Sequence, residues 1–155
     1  MGKIRYTKPK LDAIAQMQAL VLPEVKSGKI LFRSDDEVAT NIRSYTLAEK
    51  DNEVVGFVAL HVHTPTLAEV RSLIVSEKMR GYGIGGELVK QCIHEGKVLG
   101  IECLFTLTYE QRFFEKLGFS EIPKESLPEH KIWADCVKCK HFPICDEVAL
   151  IYNLS

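Results

Sequence analysis

A glycine-rich stretch, Arg80-Gly81-Tyr82-Gly83-Ile84-Gly85-Gly86, restricts the fold of this chain more than any other feature. It separates two apolar patterns of different period. Upstream, Tyr45 to Glu49 and Val54 to His63 flank the polar turn Lys50-Asp51-Asn52-Glu53 and read as a hairpin. A second turn around Pro65 leads into a third strand, Leu67 to Val75. Downstream, Ile84, Leu88, Cys92, Glu95 and Leu99 recur at helical spacing, backed by Val89 and Ile93, until Gly100 ends the run. The glycines therefore lead from the third of three antiparallel strands straight into a long helix. Such a turn collects free backbone N–H groups and the positive end of a helix dipole, which together favour an anion. Two familiar phosphate loops do not match. No Lys-Ser or Lys-Thr follows the glycines, and Gly81, Gly83, Gly85 and Gly86 do not space as GxGxxG. A plain tight turn is the competing reading, because glycine serves turns freely.

The rest of the chain surrounds this turn with mixed structure. Lys3 to Thr7 reads as a strand, and Pro9 stands where a helix can start. Leu11, Ile14, Ala15, Gln18, Val21 and Leu22 share one helical face, and Pro23 is expected to close that helix. Ser34 and Glu37 form a capping-box pattern for a helix running to about Ser44. Ile101 to Thr108 reads as a strand, Glu110 to Leu117 as a short helix stopped by Gly118, and Glu147 to Leu154 as a last strand. The order β-α-α-β-β-β-α-β-α-β specifies a mixed α/β (α+β) fold. The 155 residues suit one domain spanning 1–155. Twenty Lys and Arg against 21 Asp and Glu leave a net charge of −1, which argues against a nucleic-acid or anionic-membrane partner. No apolar run approaches the roughly 20 residues of a membrane span. Met1 to Lys10 is basic without an apolar h-region, so a cytoplasmic protein acting on a small molecule is expected. A homodimer is among the expected states.

The segment Val75-Ser76-Glu77-Lys78-Met79-Arg80-Gly81-Tyr82-Gly83-Ile84-Gly85 resembles the acyl-CoA signature of the GNAT N-acetyltransferase superfamily, Arg/Gln-x-x-Gly-x-Gly/Ala at the start of its long helix. Phe113-Phe114-Glu115-Lys116-Leu117-Gly118-Phe119 is similar to the superfamily segment before its sixth strand. The resemblance covers essentially Ile4 to Leu154. It implies a twisted mixed sheet that splays between its fourth and fifth strands, with acetyl-CoA as cosubstrate in the split. Backbone donors from Arg80, Gly81, Tyr82, Gly83, Ile84, Gly85 and Gly86 would hold the pyrophosphate. Backbone groups of Leu73, Ile74 and Val75 would pair with the pantetheine, and Phe114 would stand beside them.

A narrower resemblance is to short, single-domain amino-acid N-acetyltransferases that make N-acetylglutamate for arginine synthesis. It rests on Leu31-Phe32-Arg33-Ser34, on Leu67-Ala68-Glu69-Val70-Arg71-Ser72-Leu73, on Leu107-Thr108-Tyr109, and on a tail from His130-Lys131-Ile132-Trp133 through Cys136-x-x-Cys139 to Cys145-Asp146-Glu147. The chain departs from that tail at Lys140, where those enzymes usually have Pro.

Acetyl transfer needs a neutral amine, a polarised thioester carbonyl and a proton for the departing thiolate. Glu69, on the strand entering the split, matches the acidic residue that serves as base in the synthases of this kind that carry an appended amino-acid-kinase domain; a solvated strand glutamate is the bland reading. The superfamily often supplies its acid from a Tyr on the short helix, where this chain reads Phe113-Phe114. Tyr109, or Thr108 beside it, is the nearest hydroxyl, unless it only packs over the core. A substrate with two carboxylates asks for arginine forks. Arg71 follows Glu69 by two and shares its strand face. Arg5, Arg33 and Lys131 are the other candidates, each weighed against ordinary surface charge, with Arg43 weaker.

Cys136, Cys139 and Cys145 form a separate cluster. A structural zinc, a disulfide or redox pair, and buried free thiols are its three readings. Cys92 and Cys103 read as core, and His61 and His63 as solvated histidines on one strand face. The expectation is an acetyl-CoA-dependent transferase making N-acetyl-L-glutamate. Acetyl transfer to another amine, or a non-catalytic acyl-CoA or metal-sensing module, are the alternatives.

Overall fold

Alternating apolar residues in the middle of the chain build one seven-stranded sheet, whose edges carry the shortest strands. The structure, a computed structural model, describes residues 3–126 and 147–154. The strands are β1 (Arg5–Thr7), β2 (Tyr45–Lys50), β3 (Glu53–Val62), β4 (Leu67–Val75), β5 (Cys103–Thr108), β6 (Ser120–Ile122) and β7 (Val148–Asn153), in the order β1-β2-β3-β4-β5-β7-β6. Every neighbouring pair is antiparallel except β4–β5, which is parallel. This is the mixed α/β arrangement expected from the element order.

Local chemistry sets the turns. Asp51 and Asn52 both adopt positive φ, at 52° and 64°, which is the twist a two-residue hairpin turn requires. The helices are α1 (Ile14–Lys26), α2 (Asp35–Thr40), α3 (Ile84–Leu99) and α4 (Gln111–Lys116). Helix α1 continues through Pro23 rather than stopping there. Proline removes one backbone donor, and this close to the helix end the loss of a single bond is tolerated. Ser34 caps α2 as expected, its Oγ accepting from Glu37 N at 3.1 Å. The reciprocal half of the capping box gives way to an ion pair, since the Glu37 carboxylate turns to Arg33 at 2.7 Å. Helix α2 ends at Thr40, and Ile42–Ser44 is a separate 3-10 turn. Strand β6 has only three residues and carries no readable periodicity.

Apolar side chains pack against both faces of the sheet. Leu88, Val89 and Cys92 of α3 join Val58, Leu60, Val70, Leu104 and Leu150 in one buried cluster. Met17 and Val21 of α1 join Leu47, Phe57, Ala59 and Ile74 in another. Among the described residues, no helix is long and apolar enough to cross a membrane.

The feature that positions the site is a break in the sheet. Strand β4 pairs with β5 only from Leu67 to Glu69, opposite Cys103 to Phe105. Its pairing with β3 shifts register between Phe57 and Ala59, and there Ser72 adopts a φ of 58°. An extra residue in one strand bends it and increases its twist, so the second half of β4 is carried away from β5.

Candidate active site

Where β4 and β5 part, a cleft of about 680 Å³ opens, bounded by β4, the end of β5, the starts of α3 and α4, and the segment after α1. At its apex the buried Thr106 hydroxyl donates to the Val70 carbonyl at 2.8 Å, one side-chain bond beyond the last strand pairing. Past that point Leu73, Ile74 and Val75 line the cleft, and among the described residues β5 does not pair with them. Their backbone edge can therefore take an extended amide chain.

The glycine loop closes one end. Gly81 and Gly83 adopt φ of 88° and 79°, and a Cβ built at either would meet nothing within 4 Å. The demand for glycine is thus conformational, not one of space. Gly83 is the N-cap of α3, and no described side chain caps that helix. Its first-turn N–H groups have no intrahelical acceptor, and such an end can bind an anion. Arg80, Gly81, Gly83, Ile84, Gly85 and Gly86 all line the cleft. Tyr82 is 60% exposed and is not among the lining residues. Arg80 is itself anchored, its Nε donating to the Val75 carbonyl at 3.1 Å and Nη2 lying 3.4 Å from Glu24. Phe114 reaches the cleft but is mainly core, edge-on to Phe113 and Phe119. Phe113, which stands where the superfamily often has its Tyr, packs beside Gly85 and also lines the cleft.

Deep in the cleft lies Glu69, 1% exposed, opposite His61 of β3 and Phe105 of β5 in the sheet register. Phe105 and Ala149 form a small buried cluster there with Leu67 and Leu107 packed on it. A carboxylate among such neighbours needs donors. His63, just beyond β3, supplies one: Nε2 lies 3.0 Å from Glu69 Oε1. Arg71 Nη1 is 3.9 Å from the same oxygen. The His63 ring lies tilted against Phe105, with centroids 5.4 Å apart, and meets His61 edge-on at 4.8 Å. The expectation that His63 is solvated therefore fails, since its side chain is only 4% exposed. The signal in the sequence is alternation across the Thr64–Thr66 turn, which puts His61, His63, Glu69 and Arg71 on one face once the register is known.

Burial, then the positive charge of Arg71, depresses the His61 pKa from 6.5 to about 4. Between those pH values the unfolded chain takes up a proton that the folded chain refuses, so this histidine's contribution to stability is lost as pH falls from 6.5 toward 4. Melting temperatures across that window should drop more steeply in the wild type than in His61→Asn. Parallel profiles would show that His61 is freely protonated in the folded protein.

Two arginines complete the inner cleft. Arg33 is buried and lines it, bonded to Glu37, while Gln18 Nε2 donates to the Arg33 carbonyl at 2.7 Å and fixes that segment. Arg71 lines the opposite strand. The charges of both act on His61 and on Tyr45, whose hydroxyl is pushed to higher pKa mainly by burial. Arg5 is not brought to the cleft. It stands on edge strand β1, its side chain 64% exposed and 3.9 Å from Glu49, because antiparallel pairing with β2 places it three strands from β4. Tyr109, 38% exposed, and Thr108 sit at the cleft end of β5. Thr108 Oγ1 accepts the Glu110 N–H at 2.9 Å, so its oxygen also shapes the turn into α4.

Lys131, Cys136, Cys139 and Cys145 lie outside the described residues. Among the described residues, no group of three or more His, Cys, Asp or Glu side chains could hold a metal. Cys92 is buried, as expected of a core thiol, and burial pushes its pKa up to about 12.

Comparison with known proteins bears on this geometry. The model of the acetyltransferase (GNAT) family matches residues 12–119. An uncharacterised N-acetyltransferase of Chlorobaculum tepidum is 38% identical over 127 residues, covering 82% of this chain and 81% of that protein. An amino-acid acetyltransferase of Mycobacterium tuberculosis is 33% identical over 105 residues, 65% of this chain and 60% of its own length. N-acetylglutamate synthase of Neisseria gonorrhoeae, solved with coenzyme A and N-acetyl-glutamate, superposes with a TM-score of 0.88 at 22% identity. The match covers all of this chain but 36% of that one, and at this identity the likeness is one of fold.

Proposed function

The chain belongs to the acetyltransferase (GNAT) family and is an acetyl-CoA-dependent N-acetyltransferase, and from that premise we propose that its acceptor is the α-amine of L-glutamate. One observation carries the proposal: Arg33, Arg71 and the buried carboxylate of Glu69 line the same cleft as the glycine loop. Two guanidinium groups suit an acceptor with two carboxylates, and they disfavour a polyamine. Relatives named amino-acid acetyltransferase, and a structural neighbour solved with N-acetyl-glutamate, support the same reading.

The cleft suits acetyl-CoA on its own chemistry. The uncapped start of α3 with Gly81 and Gly83 at positive φ offers N–H groups to a pyrophosphate, and the edge of β4 at Leu73–Val75 offers hydrogen bonds to amide groups. In the proposed mechanism Glu69, through a water molecule, takes the proton from the acceptor ammonium. Nitrogen then attacks the thioester carbon, a C–N bond forms and the C–S bond breaks. A backbone N–H near Leu73 or Ile74 stabilises the developing oxyanion. As the intermediate collapses, the nitrogen gives up its second proton, which ends on the departing sulfur through solvent or by way of Tyr109 or Thr108. Arg71 and Arg33 orient the carboxylates, with Lys131 of the tail as a further contributor. Arg5 has no part in this, given its place at the sheet edge.

A single catalytic domain over residues 1–155, a cytoplasmic place in arginine synthesis, a homodimer, and a structural zinc on Cys136, Cys139 and Cys145 complete the proposal. Zinc content near zero in the reduced protein would remove the last.

Acetyl-CoA consumption measured across the amino acids, with a polyamine as control, tests the acceptor. Glutamate is expected to give the highest kcat/KM. Preference for a basic acceptor would overturn the assignment, and acetyl-CoA binding without turnover on any amine would favour a sensing module. The loop has its own test. Gly83→Val forces a β-branched residue to positive φ at a cost of about 1–3 kcal/mol, at a position where an added Cβ meets nothing within 4 Å. If the loop abandons this conformation, KM for acetyl-CoA should rise about 5- to 10²-fold while KM for glutamate stays near wild type.

A further inference from the structure

We infer that His63 is a positioning residue for Glu69, holding its carboxylate in the orientation and ionisation state from which it accepts the amine proton. The inference rests on Glu69 serving as the base. Glu69 is anchored to β4 opposite Phe105, and an apolar ring does nothing to fix the direction of a carboxylate. His63 fixes it through the 3.0 Å contact between Nε2 and Oε1. The histidine is in turn fixed from three sides. Its backbone N–H donates to the Leu67 carbonyl at 2.9 Å, its ring lies against Phe105, and His61 meets it edge-on. The two residues are diagonal neighbours across the β3–β4 hairpin, His63 lying two residues beyond His61, the register partner of Glu69. A proton carried on Nε2 is therefore directed at one carboxylate oxygen in either charge state of the ring.

The charged and titratable groups that face this pair include Arg71 of β4, 3.9 Å from Oε1, and His61 of β3, held neutral at pH 7; from β5, Phe105, which does not titrate, lies against the His63 ring. The charge of Arg33 reaches His61 from the segment before α2. Arg71 already supports the ionised carboxylate electrostatically, so the contribution peculiar to His63 is a short, directional hydrogen bond. Without that donor, a carboxylate in the same buried place becomes a weaker acid. The base must be deprotonated to act, so the acidic limb of the rate profile moves to higher pH.

The experiment compares His63→Phe, His63→Gln and His63→Asn with wild type and Glu69→Gln, using the amino acid that wild type acetylates fastest. His63→Phe keeps a ring against Phe105 and removes the donor. Gln places its amide nitrogen near the position of Nε2, whereas Asn is one methylene too short. The expected result for Phe and Asn is a kcat lower by about 10- to 10²-fold and an acidic limb displaced upward by about one pH unit. Gln should restore most of both, with KM for acetyl-CoA unchanged throughout. If His63→Phe does not fold, the Gln and Asn pair decides alone. Wild-type kcat and profile in Phe or Asn, alongside an impaired Glu69→Gln, would overturn the role of His63 and leave Glu69 as base. An unimpaired Glu69→Gln would remove both.

Discussion

Glu69→Gln is expected to lower kcat with glutamate by about 10²–10⁴-fold, the span usual for a lost acid–base group. The substitution is clean because the amide has the shape of the carboxylate and keeps an oxygen facing His63 Nε2, now 3.0 Å away. It also takes a negative charge from beside His63 and Arg71, which costs stability, so melting is measured in parallel to show that the variant folds. A melting transition well above the assay temperature beside a collapsed kcat would place the loss in proton transfer rather than in folding. KM for acetyl-CoA should stay near wild type, since the residues proposed to hold the pyrophosphate lie in the separate glycine loop and α3. Turnover that survives the change would remove Glu69 from the mechanism and pass the amine's proton directly to solvent.

How legible the fold was in the sequence depends on whether a signal was local. Strand β4 runs from Leu67 to Val75 as its residues specify, and α3 ends at Leu99 because Gly100 takes a φ of 85° that other residues avoid. The glycine loop is equally local, since the backbone needs glycine at Gly81 and Gly83 whatever lies around them. The splay is different. It requires that β4 and β5 share only three pairs and that Ser72 leave extended geometry, and nothing in serine announces a φ of 58°. The family resemblance supplied that expectation where residue patterns could not. The Glu69–His63 contact depends on register, so single-strand alternation shows both residues facing one side without showing that they meet. Arg5 fails for the converse reason, since early sequence position says nothing about which sheet edge β1 will join.

The acceptor side of the site turns on Arg71. Arg71→Ala should raise KM for glutamate by about 10²- to 10⁴-fold, because a guanidinium fork to a carboxylate makes two charge-assisted hydrogen bonds of about 1.5–3 kcal/mol each. A second, smaller effect follows from its place 3.9 Å from Glu69 Oε1. Removing that cation lets the carboxylate bind a proton more readily, so kcat should fall on the acidic side while recovering at higher pH. The binding defect has no such recovery, which separates the two roles by pH. Arg71→Lys should restore much of the electrostatic support for Glu69 but not the fork, leaving KM raised and the pH limb near wild type. Arg33→Ala provides the contrast, since Arg33 pairs with Glu37 at 2.7 Å: a KM defect is expected there without a displaced limb. A change confined to KM for acetyl-CoA in either variant would contradict the assignment of these arginines to the acceptor, and with it the reason for choosing a dicarboxylate.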